Sequence, residues 1–418
     1  MIKKRIHISL KNTHQLIVLF DQALVSGVNF LVAILLARLL GIESFGVYAF
    51  GWMLVIVASS VQLALIVSPL FTLYPKQKNA ANYLSDVHVI QLCYSIVTFV
   101  ISFGIVKVVF LYKPEREIAG VLYSLPLVAA LFVLQDFYRR VNFTLKKPIR
   151  SLISDGISYG GQPFGILLLN HFDLLSIHYT FLSISVLFSA SIIYNSTKVK
   201  LIISFFNIKN TFTENWAFSK YLVGTALLQW ISGNFFIIVA AGLLGPVAIG
   251  ALKITQNVVG VLHVLFLAME NIIPIKAAEI LDNEGSYKTL KYFKKMLFKG
   301  GTVTLVVLVL IAFFRSQIVF FFYGNEYIEY VNVLLGYTGI YLLVFVGTMM
   351  GFVIKTFEMN NIFFWSYIIT TIFGLMAAKY LITETGIYGV LIGLFVTQLI
   401  NISFYILKLN SKLKILWR

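Results

Sequence analysis

Residues 22–52, QALVSGVNFLVAILLARLLGIESFGVYAFGW, decide how this chain folds. The stretch opens as an apolar run of helix length with a narrow polar stripe and ends that run at Arg38. A glycine-flanked turn follows, and a second apolar run begins. Part of the pattern returns about 204 residues later as LLQWISGNFFIIVAAGLLGPVAIGALKI, residues 227–254. Leu40-Gly41 and Gly46 correspond to Leu244-Gly245 and Gly250, with the same gap between the glycines. Gln22, Ser26 and Asn29 stand at i, i+4 and i+7, so they share one helical face, and Thr225, Gln229 and Ser232 repeat that spacing. A membrane chain of two similar halves is the usual build of a transporter that moves one half against the other.

Composition supports the membrane reading. The 418 residues are 59% hydrophobic and only 12% charged, and mean hydropathy is +0.89, far from a soluble chain. Apolar runs long enough to cross roughly 30 Å of hydrocarbon recur throughout. They predict twelve spans, near 16–40, 46–71, 87–111, 119–138, 152–170, 176–194, 222–244, 247–270, 297–322, 330–354, 362–382 and 387–407. The expected class is therefore all-α and polytopic, with about twelve transmembrane helices in two parallel six-helix bundles. Residues 1–198 and 220–418 read as the bundles. Residues 199–219, with a short LIISFF core between lysines, read as a cytoplasmic interfacial linker. Residues 272–299 read as a second interfacial segment, with Lys288, Lys291 and Lys295 on one face. For both segments a solvated basic loop is the plainer alternative.

The formal charge of +16 has a specific place. With the N-terminus inside, 26 of the 33 Lys and Arg fall on the inner side, the exceptions being Arg38, Lys107, Lys113, Arg116, Lys253, Arg315 and Lys379. That asymmetry predicts both termini in the cytoplasm. It also accounts for the charge without nucleic acid and suits anionic lipid headgroups. The single cysteine, Cys93, lies within a span, and the six histidines show no ligand spacing, so neither a disulfide framework nor a metal site is expected. The first apolar run follows basic residues but precedes no small-residue cleavage site, so it reads as a retained helix.

Polar residues inside spans are costly unless they face a cavity or a partner. Ala33 and Ala37 continue the Gln22, Ser26 and Asn29 face, which suits either cavity lining or close helix packing. Asp21 and Arg38 are separated by about 25 Å of helix, so each needs its own partner or water. Arg38 sits at the outward end of the first helix. There it can hold a phosphate bidentately or simply snorkel to the interface. Lys253 and Arg315 take comparable places in the second half, and the three would make the outer part of a central cavity cationic. Gln229 joins Gln22 and Asn29 as a polar candidate for sugar contact. Arg139 and Arg140, closing the fourth span, read as cytoplasmic anchors. Asp21, Asp136, Asp155 and Glu270 are candidates for ion coupling, with ordinary ion pairing as the alternative. No phosphate-binding loop, GxSxG or HExxH occurs, and the outer loops leave little room for a catalytic platform, so no enzyme and no cofactor are expected.

The segment DQALVSGVNFLVAILLARLLGIESFGVYAF, residues 21–50, closely resembles the N-terminal signature of Wzx-type oligosaccharide-lipid flippases. These belong to the multidrug/oligosaccharide-lipid/polysaccharide exporter superfamily. DFYRR at 136–140 resembles a second feature of that family, and the overall pattern of spans, linker and basic tail is similar along the whole chain. The resemblance implies a MATE-like fold that works by alternating access. It implies undecaprenyl-diphosphate-linked oligosaccharide as the cargo, flipped across the bacterial plasma membrane for O-antigen, capsule or exopolysaccharide synthesis. Membrane lipids, and polysaccharide polymerase and chain-length proteins, are the implied partners. Lipid II flippases of the superfamily carry extra arginines in the first helix, where this chain has Gly27 and Asn29, which counts against a peptidoglycan precursor. A cation-coupled multidrug exporter on the same fold, a membrane glycosyltransferase or polymerase, and a non-transporting scaffold remain as alternatives.

Overall fold

A computed structural model describes residues 2–112, 116–199 and 207–413, with side chains from 17–111, 121, 123–199 and 207–411. Lys113, Lys414, Arg418 and residues 200–206 of the predicted linker lie outside that set. The described residues are helical almost throughout and contain no strand. All twelve predicted spans fall on helix, and eight helical segments are by themselves long and apolar enough to cross a bilayer. The chain is an all-α, multi-pass membrane protein.

Contacts divide it into two compact units, Met1–Leu227 and Leu228–Arg418. The first holds α1 (Ile2–Gln62), α2 (Ser68–Leu73), α3 (Ala80–Tyr112), α4 (Arg116–Thr144), α5 (Pro148–Ser158), α6 (Gly161–His171), α7 (Ile177–Lys198) and the start of α8 (Ile208–Leu244). Within it α4 is central, packing on α1, α3, α5 and α7. The second unit holds the rest of α8 and α9 (Pro246–Gly260), α10 (Leu262–Phe313), α11 (Arg315–Tyr323), α12 (Val331–Thr356), α13 (Asn361–Thr385) and α14 (Ile387–Leu413). There α12 packs on α9, α10 and α14, and α13 on α14.

The helix α1 contains the first predicted span and most of the second, separated at Gly41, whose φ of 77° and ψ of 170° are not helical. Its counterpart Gly245, between α8 and α9, has φ 80° and ψ −173°. That backbone region is open essentially to glycine alone, so the repeat read from the sequence is also a repeat of conformation. Pro246 then opens α9 at a position where a missing N–H costs nothing. A π-turn, Leu63–Val67, joins α1 to α2, and Ser68 Oγ donates to the Leu63 carbonyl at 2.7 Å across it.

Part of the predicted linker is described. From Ile208 the stretch read as linker is the first turns of α8, docked on the start of α3. Thr211 donates to Asp86 at 2.9 Å, Tyr83 donates to Asn215 at 2.8 Å, and Gln77 donates to Glu214. These polar contacts tie residues 207–219 to the first unit, which is why the compact unit runs on to Leu227.

Burial in the first unit is inverted relative to a water-soluble protein. On α3, His88, Gln91, Ser95, Thr98 and Ser102 are buried, whereas Ile96, Val100 and Ile101 are 64%, 61% and 57% exposed. In water that arrangement would forfeit about 25 cal/mol for each Å² of apolar surface left outside. In lipid the same outer face costs nothing, and the polar groups must pair with one another inside.

Candidate functional site

The polar interior of the first unit is built from stripes at helical spacing. On α4 the stripe is Gln135, Arg139 and Asn142, at i, i+4 and i+7. On α5 it is Ser151, Ser154, Asp155 and Ser158, and on α7 it is Ser191 and Asn195. The lower half of α1 contributes Asp21. All ten are buried.

Arg139 is the centre. Its Nη2 donates to Asp21 Oδ2 at 2.9 Å, and its Nε lies 2.6 Å from Asp155 Oδ2. The second contact is a close charge pairing rather than an aligned hydrogen bond. Asp155 is completed by Gln135 Nε2, which donates to Oδ1 at 2.8 Å and also reaches Ser158 Oγ at 3.2 Å. Ser151 Oγ donates to the Arg139 carbonyl at 3.1 Å, and Phe143 lies under the guanidinium at 5.6 Å. Two carboxylates thus face one guanidinium in a site closed to solvent. A second layer joins α4, α5 and α7: Asn142 donates to Asn195 at 2.7 Å, Asn195 to Ser154 at 2.8 Å, and Ser154 and Ser191 share a hydrogen bond of 2.6 Å. Near the π-turn, Gln62 donates to Gln91 at 2.9 Å, and both glutamines donate to the Val133 carbonyl.

The sequence reading singled out Asp21 and Asp155, and the structure brings these two together. It missed the group that joins them, having read Arg139 as an interfacial anchor. The spacing of Gln135, Arg139 and Asn142 was the available signal, because three polar groups on one face of a buried helix need internal partners. The other two acids are elsewhere. Asp136 pairs with Arg140 one turn on, at 3.3 Å. Glu270, at the start of α10, pairs with Lys355 of α12 at 2.7 Å, with both side chains about half exposed.

The cargo candidates of the first unit lie on α1, with Gln22 half-buried and Asn29 and Arg38 exposed. Ala33 and Ala37, on the same nominal face, are buried, so the unit covers the upper part of the stripe and leaves Ser26 and Asn29 uncovered. In the second unit Gln229 is exposed on α8, while Ser232 is buried and shares a 2.6 Å hydrogen bond with Thr370. Lys253 is half-buried on α9, near His263. His263 and Tyr341 are 3.1 Å apart, and Gln256 donates to Tyr337 at 3.0 Å. Arg315 opens α11, with its guanidinium donating to the Ala312 carbonyl at 2.9 Å. No polar contact among the described residues joins Gln229, Lys253 and Arg315 to one another. Uncovered amide and guanidinium groups on apolar helices suit a polar cargo, and cations among them suit an anionic one.

The helix order defines a polytopic all-α membrane fold, and solved structures share it. An inward-facing multidrug resistance transporter of the MATE family of the MOP superfamily superposes with a TM-score of 0.76 at 14% identity, covering 93% of this chain and 95% of that one. The lipid II flippase MurJ in an inward closed conformation gives 0.74 at 13% identity, covering 95% and 87%. A MOP superfamily transporter from Pyrococcus furiosus gives 0.59 at 13% identity, covering 97% and 93%. At these identities the likeness establishes the fold. Residues 35–332 match the family described as polysaccharide biosynthesis protein. The chain belongs to that family, and the resemblance carried by its first helix holds. No curated protein sequence matches it.

Proposed function

We propose that this protein flips undecaprenyl-diphosphate-linked oligosaccharide units across the bacterial plasma membrane, exposing its binding surface to one side and then the other. The observation that carries the reading is family membership over residues 35–332 in a chain with an exporter fold. Membership of a polysaccharide family weighs more than likeness to drug transporters at 14% identity, which concerns the fold alone. Arg38 is the proposed diphosphate contact, with Lys253 and Arg315 supplying further positive charge and Gln22, Asn29 and Gln229 meeting sugar hydroxyls. Polymerase and chain-length proteins are the proposed downstream partners, and both termini are proposed to be cytoplasmic.

The Asp21–Arg139–Asp155 triad is the proposed coupling site. When both acids are ionised it holds one negative charge in excess, which a buried site neutralises with a proton or a small cation. Asp136 and Glu270 each already have one partner and are weaker candidates.

The test is complementation of a deletion strain. Surface polysaccharide is expected to be lost on deletion and restored by the wild-type gene. Arg38→Ala should leave it reduced about tenfold or more, the order expected when a charge-assisted hydrogen bond is removed. Full complementation by Arg38→Ala would remove that residue from cargo binding. Unchanged polysaccharide together with drug hypersensitivity in the deletion strain would move the assignment to a multidrug exporter.

A further inference from the structure

The second unit contains a cleft of about 430 Å³, lined by Tyr287, Leu290, Lys291, Phe293, Lys294 and Leu297 of α10, by Met349, Met350 and Val353 of α12, and by Leu409 of α14. It lies just after the break in α10 at Gly285 and near the basic ends of α12 and α14, where Lys355 and Lys408 stand. Its floor is apolar and buried: Phe293, Met349, Val353 and Leu409 are each under 8% exposed. Its rim is exposed and carries Lys291 and Lys294, one helical turn apart. No carboxylate lines it.

The lysines around the cleft are not equivalent. Lys276 pairs with Glu279, Lys288 with Glu284 and Lys355 with Glu270. Among the described residues Lys291 and Lys294, the two that border the cleft, have no ion pair; the same holds for Lys295, Lys299 and Lys408, which do not line it. An apolar floor below two unneutralised cations is complementary to one chemical class, an anion attached to an apolar chain. The volume lies within the range of small-molecule sites, and a membrane offers that class directly in its anionic phospholipids.

We propose that this cleft binds one anionic phospholipid, with its phosphate between Lys291 and Lys294 and the start of an acyl chain on Phe293, Met349, Val353 and Leu409. Lipid bound there would hold the basic helix that follows Gly285 against α12 and α14. The site is separate from the cargo candidates, none of which lines it.

The experiment is native mass spectrometry of the full-length protein released from nanodiscs of phosphatidylglycerol and phosphatidylcholine mixed in equal parts. Wild type is expected to retain one phosphatidylglycerol in preference to phosphatidylcholine. Lys291→Glu/Lys294→Glu should weaken retention on the order of thirtyfold. Lys288→Glu, on the same helix but off the cleft, should leave it unchanged. Met350→Trp fills the cleft without altering charge and should also displace the lipid, which diffuse attraction to a basic face would not predict. Equal retention of the two lipids, or retention unchanged in the double lysine variant, would overturn the proposal. A further arm adds undecaprenyl phosphate to the nanodiscs, and its displacement of phosphatidylglycerol at equal concentration would overturn it as well, since the cleft would then belong to the cargo lipid.

Discussion

Arg139 carries the heaviest electrostatic duty of any single residue in the first unit. It is nearly buried and touches two fully buried aspartates contributed by α1 and α5. Removing one member of such a group leaves an uncompensated charge in a medium of low dielectric, which typically costs about 3–5 kcal/mol. Arg139→Met is therefore expected to lower stability by that order, measured by thermal unfolding of the purified protein. The triple variant Asp21→Asn/Arg139→Met/Asp155→Asn removes every charge and should recover most of the loss. If Arg139→Met alone unfolds no earlier than wild type, the triad does not join α1 to α4 and α5. The same triple variant examines coupling: a stable protein that still flips at the normal rate would exclude the triad from ion exchange. That Asp21 needed a partner could be read from its place in an apolar helix. The identity of the partner could not, because Arg139 lies 118 residues away and only the packing of α4 on α1 brings them together.

The units of the fold at the next scale are broken helices. Gly41 and Gly245 take nearly the same backbone conformation at corresponding points of the two halves. A side chain is strained at both positions by the backbone, and at Gly245 that is so even though a Cβ would meet nothing within 4 Å. Alanine at either position should cost about 1–3 kcal/mol from the backbone alone. Gly27 is a control, being helical and open around its missing Cβ, so Gly27→Ala should leave stability unchanged or raise it slightly. Equal behaviour of all three variants in thermal unfolding would mean that the two breaks are not conformationally demanding. The repeat was legible in the sequence because the glycine spacing survives even though the flanking side chains have diverged. The start of α8 was not. Residues 207–219 are weakly apolar, and their helix is held by Asp86, Tyr83 and Gln77 of distant segments. Periodicity within the stretch carries no trace of those contacts.

At the scale of the whole molecule, two patterns bear on how the chain sits in its membrane. Apolar side chains cover the outer faces of helices such as α3, and lysine and arginine crowd the connections on one side. The first pattern requires lipid around the chain, and the second selects an orientation, because cationic segments resist transfer across the membrane. With the proposed cytoplasmic N-terminus, twelve crossings give each connection an expected side. Lys147, before α5, and Glu358, between α12 and α13, belong inside. Asp173, between α6 and α7, and Asn325, after α11, belong outside. All four are exposed, so each can report on its side as a lone cysteine once Cys93 is replaced by serine. A membrane-impermeant maleimide applied to intact cells is expected to label Asp173→Cys and Asn325→Cys at once. Lys147→Cys and Glu358→Cys should react only after the membrane is permeabilised. Lys147 and Asp173 lie in the first unit and Asn325 and Glu358 in the second, so the assay reads each unit by itself. Immediate labelling of both Lys147→Cys and Asp173→Cys, or of both Asn325→Cys and Glu358→Cys, would overturn the proposed topology of that unit. It would also place the basic connections on the wrong side for the cargo uptake proposed above.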